Sequence, residues 1–318
     1  MKQIIAFIKD WTLPLALITG VGFYYLFSYC KPITFIRPIL GDVAEWLMPA
    51  LIFTQLLFAF SKTDPKELLP KKWHMWLLLF QLISCFAIAA SLLLFKLDSD
   101  EKIILEGAMI CLIAPTATAA VVITSKLGGN AAALITYTML SNIVSAIVAP
   151  LLFPIIDPHE GLTFLNEFTG ILGKVFPLLI TPFILALIFR YYIKPIHNFL
   201  EKYSETAFYL WGFALIIVTA QTLHHLTMSN AMVHIKIGVA LAGLLTCIIQ
   251  FSLGKYIGKR YDNSISAGQA LGQKNTVIAI WLASTYLIPL SSLAPGSYIL
   301  WQNIFNSWQL YKKRKNSN

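Results

Sequence analysis

Long apolar runs, separated by short charged loops, dominate this chain. A helix needs about 20 apolar residues to cross the hydrocarbon core of a bilayer. Runs of that size recur along the sequence and predict an all-α membrane protein with ten transmembrane segments. The first spans Trp11 to Tyr29, behind a short amphipathic piece from Lys2 to Asp10. The second to fifth cover Val43 to Phe60, Trp73 to Phe95, Ile103 to Leu127 and Ala131 to Ile156. The sixth to eighth cover Gly170 to Tyr192, Thr206 to His224 and Ala231 to Gly254. The ninth runs from Asp262 to Leu290 and the tenth from Leu293 to Tyr311.

Two segments carry an interruption. The fourth reads Ala114-Pro115-Thr116-Ala117-Thr118 in its middle. The ninth has Gly272 beside Gln273, Lys274, Asn275 and Thr276. Glycine weakens a helix interior, and the polar cluster beside it predicts a break. Pro115 alone reads as a kink, which membrane helices tolerate. The matching break changes that reading, because one interruption lies fourth in the first five segments and the other fourth in the second five. Five is odd, so the second half enters from the opposite face. Paired breaks of this kind point to two inverted repeats, residues 1–160 and 161–318, and to a transporter binding site where the breaks cross at mid-membrane.

Charge refines the picture. Charged residues make up 12% of the chain, against roughly 25% in a soluble domain. The net charge of +9 sits in loops between apolar runs, which fits membrane orientation and not nucleic acid. Seventeen of the 24 Lys and Arg fall on the side that holds both termini, and Lys31, Arg37, Lys96, Lys102, Lys174 and Lys236 on the other. The heavier side is expected in the cytoplasm. Both termini are therefore expected in the cytoplasm. The first segment is expected to be retained, since no convincing small-residue cleavage site follows it, and the expected location is a plasma membrane, the inner one of a bacterium. The basic tail Lys312 to Lys315 is expected to meet anionic lipid headgroups.

Lys274 is the only charged residue between Asp262 and Lys312. An ionisable group in the middle of a membrane segment reads as a functional site by default. The alternative is a lysine that snorkels to water or is locked in a structural network. Half-helix starts near Thr116 and Asn275 present free amides and positive dipole ends, which suit an anionic group. Thr118, Lys274, Asn275 and Thr276 are thus the candidate substrate contacts. Gln273, Thr138 and Asn142 are further polar candidates near the crossing. Thr138 and Asn142 share a helix face and serve equally well as hydrogen-bonding glue. Asn303 and Asn306 leave the same choice open, and Gln55, Gln81, Gln221 and Gln250 read as glue. Glu45 and Glu106 are expected at the membrane interface, with reach into a vestibule the alternative for Glu106. His224 and His225 are adjacent, a poor geometry for one metal. The four cysteines are scattered and show no metal spacing, and no cofactor site is recognised. Intramembrane aspartate pairs, HExxH and a nucleophile elbow are missing from the sequence, which argues against a membrane enzyme.

The motifs around both breaks resemble those of the bile acid:sodium symporter family. That family has a proline followed by small residues and Thr-Ala-Ser-Asn on segment four; here the run is Pro115 to Val121, and Gly129-Asn130 then opens segment five. On segment nine it has Glu-x-Gly-x-Gln-Asn-Ser, and here Ala270 to Thr276 stand at those places. The resemblance implies a core of segments three to five and eight to ten, and a panel of segments one, two, six and seven. It also implies sodium ligands at positions matching Ala120, Val121, Leu134, Thr138, Ala270 and Lys274. Only Thr138 retains a side-chain oxygen, and a hard cation wants several. The carboxylate position holds Ala270, and an ammonium about 4 Å from a second cation repels it by on the order of 4 kcal/mol at an effective dielectric near 20. Sodium is therefore not expected as a partner, and Lys274 is expected to replace the bound cation as a tethered charge. A variant makes Lys274 the coupling group, releasing and regaining a proton in each cycle. The expected substrate is a small or amphipathic organic anion; bile acids, pantoate-like acids and other carboxylates all fit. The remaining alternatives are a sodium-coupled organic anion symporter with a non-standard site, and a sensor or channel on the same fold.

Overall fold

A computed structural model describes residues 2–30, 37–95, 97–158 and 161–317. Lys31 and Lys96, counted above for orientation, and His159 and Glu160 in the loop between the halves lie outside them. Thirteen α-helices form the described chain. They are α1 (Lys2–Tyr29), α2 (Arg37–Ser61), α3 (Lys72–Leu94), α4 (Ser99–Ile113), α5 (Ala120–Leu127), α6 (Ala131–Ile156) and α7 (Phe164–Tyr192). The second half holds α8 (Lys194–Lys202), α9 (Thr206–Met228), α10 (Val233–Lys259), α11 (Ser264–Gly272), α12 (Thr276–Tyr286) and α13 (Leu293–Ser317). Helices α1, α2, α3, α6, α7, α9 and α10 are each long and apolar enough to cross a membrane. The other three predicted segments differ for physical reasons. The fourth and ninth are each divided into two helices too short to cross alone, α4 with α5 and α11 with α12. The tenth, α13, mixes Gln, Asn and Ser into its apolar stretch and ends in Lys312 to Lys315.

Local chemistry sets the helix ends. Asp98 caps α4 by accepting hydrogen bonds from the amides of Asp100 and Glu101, at 3.1 and 2.8 Å. Asn130 caps α6 through the amide of Ala133 at 2.9 Å. Gly128, at φ 83°, ends α5 in the left-handed conformation that favours glycine. Helix α8 falls where the sequence reading placed a loop. It is too short and too charged to register as a segment, and it buries only His197 and Leu200 while packing on α2 and α7.

Helix α10 is the hub of one group, packing on α4, α11 and α13, with α3 on α4 and α6. In the other group α1 packs on α9, and α2 on α7 and α9. At Gly243 an added Cβ would lie 2.3 Å from the Ala294 carbonyl oxygen, so α10 and α13 meet backbone to backbone. Small residues allow that approach between helices in a membrane. Outward positions stay apolar: Trp46 and Leu94 are about four-fifths exposed, at 84% and 79%.

Candidate functional site

Breaking a helix in an apolar interior frees backbone groups that must find partners. Here the two breaks supply each other. Thr116 and Lys274 pair in an antiparallel β-bridge. The Ala117 amide donates to the Gln273 carbonyl at 2.9 Å, and the Asn275 amide donates to the Pro115 carbonyl at 2.8 Å.

The end of α4 leaves a row of carbonyls without intrahelical donors. Side chains from four elements satisfy them. Gln250 of α10 donates to the Cys111 carbonyl at 3.2 Å. Gln81 of α3 donates to the Ile113 carbonyl at 3.0 Å, and Ser145 of α6 donates to the same oxygen. The Lys274 ammonium donates to the carbonyls of Leu112 at 3.0 Å and Ala114 at 2.9 Å. Lys274 is 1% exposed, and its backbone amide donates to Gln302 Oε1 of α13 at 3.0 Å. Among the described residues it makes no ion pair with a carboxylate. Its charge instead sits on the negative dipole end of α4.

The end of α11 is closed in the same manner. Thr116 Oγ1 donates to the Ala270 carbonyl at 2.6 Å, and the Tyr298 hydroxyl donates to the Gly272 carbonyl at 2.7 Å. Removing that hydroxyl in Tyr298→Phe leaves a buried carbonyl unpaired. The expected cost is about 1–2 kcal/mol, read as a lower thermal unfolding midpoint of the purified protein.

The predicted residues divide into three sets. Gln273, Lys274, Asn275 and Thr276 are buried together at the crossing. Asn275 caps α12 by accepting from the Ile278 amide at 3.3 Å. Thr118 lies partly exposed just before α5. Thr138 and Asn142 stand one shell away: Thr138 Oγ1 donates to the Leu134 carbonyl within its own helix, and Asn142 Nδ2 donates to the Thr138 carbonyl at 2.7 Å. Ser141, between them, makes the link to the crossing, accepting from the Thr116 amide at 3.0 Å. Ser141, Tyr298 and Gln302 were missed by sequence reasoning, and Thr116 was marked only as the start of a half-helix. The signal of the first three was a hydroxyl or amide on a helix face that periodicity alone does not aim.

One placement differs from expectation. The Lys274 ammonium bonds to the carbonyl end of α4 and not to the starts of α5 and α12. Glu106 is buried against other protein groups. One of its oxygens accepts from the Ile288 amide at 3.2 Å, and the other lies 3.7 Å from Lys102, which bridges on to Asp157 at 2.8 Å. A sequence position near a helix start gives depth along the axis but not the side that faces inward. Clefts of about 490 and 340 Å³ lie elsewhere, one along α6 and α7, the other at the ends of α5, α10, α11 and α13.

A family model described as the SBF-like CPA transporter family matches residues 43–312. A relative described as the probable sodium/metabolite cotransporter BASS4, chloroplastic, of Arabidopsis thaliana is 27% identical over 210 residues, 63% of this chain and 45% of that protein. The chain thus spans less than half the length of that relative. With the matched region covering both broken segments and their crossing, this chain, a multi-pass membrane protein, belongs to the SBF-like CPA transporter family, of the bile acid:sodium symporter type.

Proposed function

We propose that this protein is a secondary active transporter of a small or amphipathic organic anion, working by alternating access, with Lys274 in place of a bound cation. The observation that carries the reading is the buried ammonium held by the Leu112 and Ala114 carbonyls. Backbone carbonyls are the oxygen ligands a sodium ion would seek. An ammonium fixed on them neutralises the end of α4 without an ion from solution. Its charge also biases the crossing toward an anion, since fixed charges act beyond direct contact. Thr118, Asn275 and Thr276 are proposed to meet the substrate carboxylate, with Gln273, Thr138 and Asn142 around them.

In this reading ten segments form two inverted repeats, residues 1–160 and 161–318. The α10-centred packing group supports a moving core of segments three to five and eight to ten, and the α1, α2, α7 and α9 group supports a panel. The basic bias supports an orientation with both termini in the cytoplasm, and the proposal places the protein in a bacterial inner membrane. Proton coupling through Lys274 is the variant of the same mechanism.

The test is uptake of a panel of labelled organic acids into proteoliposomes, with sodium and pH varied independently. Saturable uptake with counterflow is expected, unchanged when potassium replaces sodium. Uptake that requires sodium would favour the second reading, a sodium-coupled symporter with a non-standard site, which the printed description of the Arabidopsis thaliana relative supports. Absence of counterflow for every acid would point to a sensor or channel.

A further inference from the structure

We propose that the cleft where α5, α10 and α13 end and α11 begins is a binding site for the phosphate headgroup of an anionic phospholipid. The cleft has a volume of about 340 Å³, and its lining includes Lys255, Lys312 and Gln309 over an apolar floor of Leu127, Ile265 and Trp308. Two lysines converge on one ring. Lys255 Nζ lies 6.0 Å from the Trp308 ring centre and 4.9 Å from that of Phe305, and Lys312 Nζ lies 5.4 Å from Trp308. Among the described residues neither lysine pairs with a carboxylate.

The Lys255 stem is held in place. It lies so close to α11 that a Cβ added at Gly268 would meet Lys255 Cγ at 2.6 Å. A third group points to an anion independently of the lysines. Gln309 is 8% exposed, and its Nε2 finds no hydrogen-bond acceptor among the described residues. A buried donor without an acceptor is costly unless something fills the position. Lys313, also in the lining, donates to the Lys126 carbonyl at 3.0 Å and ties α13 to the end of α5.

Two cations and an unused donor above an apolar floor match a phosphate that carries a hydrocarbon tail. The level in the membrane agrees, because Lys255 stands in the last two turns of α10, where an apolar helix leaves the bilayer. Basic clefts between membrane helices bind acidic headgroups in this way. The inference stands apart from the transport reading, since it does not use the crossing.

The test is native mass spectrometry of the full chain, released from micelles holding equal amounts of phosphatidylglycerol and phosphatidylcholine. One phosphatidylglycerol is expected to be retained in preference. Each lysine near a charged headgroup is worth about fivefold in affinity, so the pair Lys255→Gln with Lys312→Gln should bind about 25-fold more weakly. Lys194→Gln with Lys202→Gln, on α8, should bind as the wild type does. Gln309→Glu leaves both lysines in place, turns the donor into an acid, and should also lose the lipid; it serves where the lysine pair fails to fold. Glycerol phosphate in excess should not displace the lipid. Equal retention of the two lipids, unchanged binding in either cleft variant, or displacement by glycerol phosphate overturns the proposal.

Discussion

Lys274→Met is expected to unfold at a much lower temperature than the wild type and to support no measurable uptake. Methionine keeps the length of the side chain and deletes the ammonium. The carbonyls of Leu112 and Ala114 then lose their donor inside a region where Lys274 itself is 1% exposed. A buried polar group left unpaired costs about 1–3 kcal/mol. Two of them, at the charged end of a helix dipole, bring the expected loss to about 3–5 kcal/mol, a large share of the stability of most domains. Lys274→Gln retains one donor and should lose about half as much. The measurement is thermal unfolding of the purified protein, with proteoliposome uptake on the same samples. A variant that melts and transports like the wild type would show that the ammonium neither holds the crossing nor takes part in transport. The same assay addresses sodium. A ligand that binds only the folded state raises its melting point, so wild-type protein should melt alike in sodium and potassium.

Gly272→Ala is the second large effect, and a packing effect instead of an electrostatic one. A Cβ at this position would stand 2.3, 2.5 and 2.6 Å from Cγ, Cδ1 and Cδ2 of Phe251. The ring cannot step aside, since Phe251 is fully buried and its centre lies 4.3 Å from that of Phe305. Overpacking of this kind costs about 1–3 kcal/mol, and the upper end is expected here. The clash falls on the last residue of α11, whose carbonyl Tyr298 holds, so the break itself is displaced. Shrinking the ring in Phe251→Leu should restore part of the loss. A double-mutant cycle should therefore be non-additive by about 1 kcal/mol or more. Additive losses would mean that the two side chains do not compete for one space.

Gly272 also shows how far residue patterns reach. Its place beside a polar cluster marked the break correctly, yet the sequence does not say that the reason for glycine is the face of Phe251. Pro115 teaches the complementary lesson. Prolines 14, 49, 150, 154, 177 and 182 all lie inside continuous helices. The helix parts at Pro115 because Lys274, Asn275, Ser141, Gln81 and Gln250 stand ready to take the freed backbone groups. Proline permits a break; partners from other helices make it stable. Glu106 shows the same limit. Its position along α4 was legible, but its burial depends on the turn after α12, 182 residues away in sequence.

The linear chain determined the class of molecule, the positions of its apolar segments, the two interruptions and the isolation of one lysine among apolar residues. Each of these follows from local composition and period, which neighbours in sequence decide. Only the tertiary structure decided which carbonyls the ammonium meets, that Thr116 and Lys274 pair, and that Ser141, Tyr298 and Gln302 join them. Those contacts link residues far apart in the chain, and a hydrogen bond depends on a direction and a distance that no local pattern contains.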